Sequence, residues 1–198
     1  MGAHYDDAGV RGQDRALEAV LTHLGPTLAN AAPYEVLTRF GHYASVLRLT
    51  DDLGLALCTD GVGSKTMIAA ALDRYDGIGF DCLAMNVNDL LCVGARPVAF
   101  LDYLGVNTLD EARAEAILES LAAAAKEAGV AVVGGELAQL PGIIGSPTHD
   151  RRAFDLVGSA VGVVDPDRVV VGREVIPGDV LVGLHSSGIH SNGLSLAR

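Results

Sequence analysis

Between Thr108 and Gly129 the sequence permits one local structure, a long helix. Thr108 and Glu111 have the spacing of a capping box, alanine fills the interior through Ala122–Ala125, and a glycine follows the last helical residue. Apolar runs flank it on both sides. Pro97–Gly105 (PVAFLDYLG) follows Gly94, Val130–Val133 is ended by Gly134-Gly135, and each reads as a strand. A strand, helix, strand unit of this kind narrows the chain to an α/β fold.

The remaining elements extend that unit. Leu17, Val20, Leu21, Leu24 and Leu28 fall at helical spacing over Arg15–Leu28, interrupted at Gly25-Pro26. Ala44–Asp60 reads as a hairpin turning at Asp51-Asp52, with a second strand, Leu55–Thr59, that ends at Asp60. Ser64–Arg74 reads as a helix. Ile78–Val93 reads as another, with Phe80, Leu83, Ala84, Val87, Leu90 and Leu91 on its apolar face, and Phe154–Val164 is a long strand. The order is strand, two helices, strand, helix, two strands, which favours helices packed on one face of a mixed sheet. Asp165–Gly178 turns to Pro, Asp, Arg and Gly and reads as a linker. Asp179–Leu184 is expected to be one more strand, with a helix starting near Ser191. The expected organisation is therefore a first domain over residues 1–165, with 166–198 as linker and the start of a second α/β domain. A lone strand and half a helix turn bury no core, so the natural polypeptide is expected to continue past Arg198.

With 49% hydrophobic residues the chain can build a substantial core, and 14 Lys+Arg against 25 Asp+Glu leave a net charge of -11. That balance repels nucleic acid and anionic membranes, so neither is an expected partner. A phosphorylated small molecule stays open, because oriented amides, a metal ion and one lysine can hold phosphate on an acidic protein. Cys58, Cys82 and Cys92 lie in apolar stretches without C-x-x-C pairing and read as reduced thiols. The amino terminus has no apolar signal core and no run approaches a bilayer span, which makes a cytoplasmic protein the expectation.

The sharpest chemical signal is Thr59-Asp60-Gly61-Val62-Gly63-Ser64-Lys65-Thr66. A strand ends in a carboxylate, two glycines let phosphate approach the backbone, and a lysine opens a helix whose amino terminus is partly positive. Asp60 could hold a magnesium ion bridging the phosphates. The run departs from G-x-x-x-x-G-K-[ST], since Ser64 separates Gly63 from Lys65. A solvent-exposed turn is the competing reading. Asn86-Val87-Asn88-Asp89 places polar groups in an otherwise apolar helix, with Asp89 a second candidate metal ligand and Asn88 a substrate contact; an outward polar stripe is the alternative. Asp102 and Glu136 are acids at strand edges, for which a salt bridge competes with a site role. Ser186–Gly193 (SSGIHSNG) is a run of small residues that could wrap phosphate or carry His190 into a cleft as acid or base, or hold it in a structural hydrogen bond. The histidines are scattered, so zinc is not expected.

In order along the chain, YDDAGV (Tyr5–Val10), TDGVGSK (Thr59–Lys65), NDLLCVGARP (Asn88–Pro97), FLDYL (Phe100–Leu104), GGELAQLPG (Gly134–Gly142) and SSGIHSNGLSLAR (Ser186–Arg198) resemble the aminoimidazole ribonucleotide synthetases, or phosphoribosylformylglycinamidine cyclo-ligases. The resemblance implies an ATP-dependent ring closure in purine biosynthesis. In that reaction the formyl amide oxygen of formylglycinamidine ribonucleotide is phosphorylated by magnesium-ATP, an amidine nitrogen attacks the activated carbon, and phosphate leaves. It implies a homodimer whose amino-terminal sheets pair into a barrel, with the site in a cleft between two domains. By position it makes Asp60 and Asp89 metal ligands, sets Gly61, Val62, Gly63, Ser64 and Lys65 along the phosphates, puts Asn88 and Glu136 beside substrate or nucleotide, and makes His190 and Lys65 the catalytic candidates. Thr38–Tyr43 stands where the family carries a glycine-rich segment, Arg11-Gly12 breaks the acidic pattern after DAGV, and Leu137 and Gln139 replace a more usual Thr and Glu. Selenophosphate synthetase and the hydrogenase-maturation dehydratase share the scaffold; the absence of an early cysteine and the presence of FLDYL and SSGIHSNG favour the purine enzyme. A catalytically silent nucleotide-binding or dimerisation module is the alternative of another class. The 198-residue chain alone is expected to bind ATP weakly and not to turn over.

Overall fold

The computed structural model describes residues 13–145 and 150–197, so the Tyr5–Val10 segment and Arg11-Gly12 lie outside the described residues. The elements run α1 (Gln13–Leu24), β1 (Glu35–Val36), β2 (Ser45–Arg48), β3 (Gly54–Gly61), α2 (Lys65–Leu72), α3 (Ile78–Cys92), β4 (Arg96–Val106), α4 (Glu111–Ala128), β5 (Ala131–Gln139), β6 (Phe154–Val164) and α5 (Leu194–Ala197). The strands form one six-stranded sheet in the order β1-β2-β3-β6-β4-β5. Every pairing is antiparallel except β4 with β5, which α4 joins as a crossover. The expected mixed sheet is present, and the expected hairpin is β2–β3. No described helix is long and apolar enough to cross a membrane.

Helices α3 and α4 cover one face of the sheet. Along β6, burial alternates strictly, with Phe154, Leu156, Gly158, Ala160, Gly162 and Val164 turned to the buried side. Phe100 and Leu104 of β4, Ala56 of β3 and Leu83 and Leu90 of α3 complete the core beneath the helices. The opposite face carries Leu57 and Leu101, 38% and 40% exposed, with no helix over it among the described residues. α3 meets α4 through a close backbone contact at Gly79. The Gly79 amide donates to Ser120 Oγ at 2.9 Å, and Ser120 Oγ in turn donates to the Ile117 carbonyl at 2.9 Å. A Cβ at Gly79 would overlap the Ile117 carbonyl oxygen and the Leu121 amide.

Several local expectations are corrected. α4 is capped by Asp110, whose carboxylate accepts from the Arg113 amide at 3.0 Å, while the Thr108 hydroxyl donates to Asn107 Oδ1. β5 continues through Gly134-Gly135 instead of stopping there. Gly135 serves close approach rather than a turn, because a Cβ there would overlap Asp102 on the neighbouring strand. On α3, Phe80 and Leu91 are exposed, and Cys82 and Asn86 take buried places. α1 ends at Leu24, and Gly25-Pro26 opens a 3-10 helix, since proline supplies no amide to continue the α ladder. Asp179–Leu184 forms no strand. Leu181 there is 97% exposed, and an extended segment without a neighbour to accept its hydrogen bonds is no sheet member.

Replacing Gly79 with alanine is expected to force α3 and α4 apart and cost about 1–3 kcal/mol. Gly134→Ala, where the nearest atom to an added Cβ is Leu101 Cδ2 at 3.8 Å, serves as the control. Thermal melts of the two variants check this: equal midpoints would show that the helix contact carries no stability.

Candidate functional site

The carboxyl end of β3 and one flank of α3 build the site. Alternation along β3 puts Ala56, Cys58 and Asp60 on the helix side, and Asp60 pairs in register with Gly158 of β6. Asp60 thus lies within the strand rather than after it, and its Oδ1 accepts from the Gly61 amide at 2.8 Å. The backbone then turns. The Val62 amide donates to the Leu156 carbonyl at 2.9 Å, Gly63 takes φ +66, and the Thr66 hydroxyl donates to the Gly63 carbonyl at 2.9 Å. Val62 is a core residue, so it presents backbone rather than side chain to anything beyond the turn.

On α3, Asp81, Met85, Asn88 and Asp89 recur at spacings of three, four and eight, which lines them along one side of the helix. Together with Asp60 they line a cleft of about 790 Å³, to which the loop Ser187–Asn192, with His190 in it, also contributes. The Ser187 hydroxyl meets His190 Nε2 at 3.2 Å, and Ser64 Oγ lies 3.0 Å from Ser195 Oγ, so the turn before α2 and the start of α5 are tied. Burial first, then the nearby charge of Asp60, raises the pKa of Asp89 above the ordinary carboxylate value. Two acids whose charges oppose one another at a cleft suit a bound cation.

Lys65 is held by Asp81. Their side chains are 28% and 13% exposed, and Asp81 Oδ2 is buried with no donor meeting it in hydrogen-bond geometry, so the contact is one of charge. Sequence reasoning gave Lys65 to phosphate and missed Asp81, although its eight-residue separation from Asp89 placed both on one flank. Of the predicted residues, the cleft gathers Asp60, Asn88, Asp89 and His190, with Gly61 to Lys65 adjoining it. Glu136 lies elsewhere. It pairs with Tyr103, on the sheet face turned away from α3, and is exposed. Asp102 lies on the helix side, where burial raises its pKa. Among the described residues no three His, Cys, Asp or Glu side chains converge as a metal site. A protein-only cage is therefore not formed. Two carboxylates do fit Mg²⁺, which is commonly held by one or two acids plus phosphate and water.

A second cleft of about 770 Å³ lies at the β1–β2 edge, lined in part by Arg39, His42 and Arg173. Arg48 there is engaged by Glu35 and Asp167, each at 3.3 Å.

Residues 41–164 match the family described as AIR synthase related protein, N-terminal domain. A phosphoribosylformylglycinamidine cyclo-ligase of Methanobrevibacter smithii is 48% identical over 196 residues, 98% of this chain and 55% of that protein. One of Thermococcus kodakarensis is 50% identical over 158 residues, 80% of this chain and 45% of that protein. The chain spans about half the length of these relatives. Among solved structures, AaThiL complexed with AMPPCP and TMP matches with TM-score 0.59 at 15% identity, over 79% of this chain and 44% of that one. PurL of Thermotoga maritima complexed with AMPPCP matches with TM-score 0.56 at 22% identity, over 68% of this chain and 22% of that one. At these identities the structural likeness speaks for the fold.

Burial, with Asp89 nearby, pushes the Cys58 thiol up to about 11; burial, with Asp102 nearby, pushes Cys82 up to about 12. Cys92 is exposed. Iodoacetamide at pH 8 is accordingly expected to alkylate Cys92 first, with Cys58 and Cys82 reacting only on unfolding. Mass spectrometry of the quenched protein checks the order, and early label on Cys82 would contradict the packing described.

Proposed function

The chain belongs to the AIR synthase related family through its amino-terminal domain, and from that premise we propose that it is the nucleotide-binding portion of an ATP-dependent cyclo-ligase of purine biosynthesis, with formylglycinamidine ribonucleotide as substrate and aminoimidazole ribonucleotide as product. The observation that carries the reading is the gathering of Asp60 and Asp89 in the lining of one cleft, beside a glycine turn that leads into Lys65. The names of the relatives, phosphoribosylformylglycinamidine cyclo-ligase, support the reaction class.

In this reading ATP activates the formyl amide oxygen, turning a poor leaving group into phosphate as an amidine nitrogen closes the ring. The chain's own residues bind and orient. Asp60 and Asp89 would hold Mg²⁺, and the Gly61–Ser64 backbone would lie along the phosphates. Lys65, paired with Asp81 in this structure, would supply a full positive charge to the triphosphate where negative charge gathers. Asn88 contacts ligand from the same flank of α3. His190, held by the Ser187 hydroxyl, lines the same cleft, placed to orient substrate or carry its proton. Glu136, on the other sheet face, reaches a ligand only where a second copy covers that face.

Residues 1–165 form the nucleotide-binding and dimerisation domain in this reading, and 166–198 lead into a carboxy-terminal one. The uncovered apolar sheet face, with Leu57 and Leu101 partly exposed, supports pairing of two sheets into a barrel within a homodimer. In this reading the protein acts in the cytoplasm.

Asp60→Asn and Asp89→Asn are each expected to weaken magnesium-ATP binding by about tenfold or more, the scale of a lost interaction with a charged group. Titration calorimetry measures the affinity, and sedimentation checks that the oligomer is unchanged. Native affinity in both variants would remove the pair from the metal shell. Failure to form aminoimidazole ribonucleotide from formylglycinamidine ribonucleotide and ATP in the full-length protein would remove the reaction.

A further inference from the structure

One buried polar side chain on α3 has no direct share in the cleft. Asn86 is fully buried, at 0% exposure, in a helix whose other inward positions are apolar or small. Its Nδ2 donates to the Cys82 carbonyl one turn back at 2.9 Å and to the Asp60 main-chain carbonyl at 3.2 Å. Two carbonyl acceptors converge on that atom, which fixes the amide's orientation. On the other side, Cys58 Sγ donates to the Asn86 main-chain carbonyl at 3.1 Å and lies 3.8 Å from Asn86 Oδ1. Both helix-side residues at the end of β3 are therefore bound to this one residue. The sheet makes room for it: Gly158, the register partner of Asp60, carries no side chain, and a Cβ there would overlap Asn86 Nδ2 and the Phe100 ring.

An apolar side chain of the same size would fill this space at less cost than a buried amide. What the amide adds is a direct tie between the backbone that carries Asp60 and the helix that carries Asp89, three residues further on. We propose that Asn86 is a positioning residue, which fixes the spacing of the Asp60 and Asp89 carboxylates and so sets the affinity of the cleft for a magnesium-bound nucleoside triphosphate. This inference rests on the nucleotide-binding reading of the cleft. Asn86 itself touches no ligand; it acts through the main chain of Asp60.

The test is a double-mutant cycle on the protein, with magnesium-ATP affinity read by calorimetry well below the melting temperature of each variant. Asn86→Leu is expected to melt cooperatively and to weaken magnesium-ATP binding by about tenfold, the lower end for residues that orient metal ligands. In an Asp60→Asn background the same substitution is expected to cause no further loss, because the group it positions is already gone. Asn86→Ser, which keeps a hydroxyl but is too short to reach the Asp60 carbonyl, is expected to behave like Asn86→Leu and covers the case in which leucine does not fold. Native affinity in Asn86→Leu or Asn86→Ser, with Asp60→Asn still weakened, overturns the inference and leaves the reading of the cleft intact. A loss that persists undiminished in the Asp60→Asn background also overturns it, since that is what a general loosening of the core produces. Unchanged affinity in Asp60→Asn alone overturns the reading of the cleft and the inference with it.

Discussion

The contact on which the rest depends is the seating of α3 between α4 and the sheet. It is close on both sides: α4 lies against Gly79, and the sheet is thinned by Gly158 beneath Asn86. Leu83 and Leu90 are fully or almost fully buried there, and burial of two such side chains is worth about 1.5–3 kcal/mol each before cavity effects. The same helix carries Asp81, Asn88 and Asp89 on the flank that lines the cleft. Core packing and cleft geometry are therefore set by one rigid element, and neither can be adjusted without the other.

The two faces of the sheet divide the chemistry. Asp60 and Asp102 turn toward the helices, whereas Glu136 turns away with Tyr103. An acid on each face cannot serve one cleft within a single copy of the chain. The strand period that makes β6 alternate so regularly also separates these groups, and side chains on neighbouring strands share a face only when in register.

Much of this was legible in the sequence, for reasons that can be stated residue by residue. Phe154–Val164 matches the expected strand to the residue, and its small residues, which suggest interruption in the sequence, leave it continuous because Gly158, Ala160 and Gly162 take inward positions of a strict alternation. The α4 interior follows from alanine content, but the expected Thr108 cap gives way to Asp110, because both offer an acceptor near the start and only the folded geometry chooses. Gly134-Gly135 was read as a stop because glycine more often breaks a strand; its use here, to let β5 pass close to Asp102, is a tertiary fact with no local signature. On α3 the apolar pattern pointed to Phe80 and Leu91, yet the helix turns Cys82 and Asn86 inward. A buried asparagine resembles an exposed one until its partners on another element are known. Asp60 and Asp89 stand out by residue type and order, while Asp81 and its hold on Lys65, which joins separate helices, leave no such signal.

The Gly79 contact has a consequence for how the chain tolerates change in length. Each residue added to or removed from an α-helix rotates everything beyond it by about 100° and shifts it by about 1.5 Å. Because Gly79 is clamped against Ile117 and Leu121, an insertion between it and Asp89 cannot be absorbed by sliding the helix; it would swing the acid out of the cleft and drive Leu90 toward solvent. The eleven helical residues from Gly79 to Asp89 thus behave as a gauge of fixed length, in which a substitution is tolerated better than an insertion.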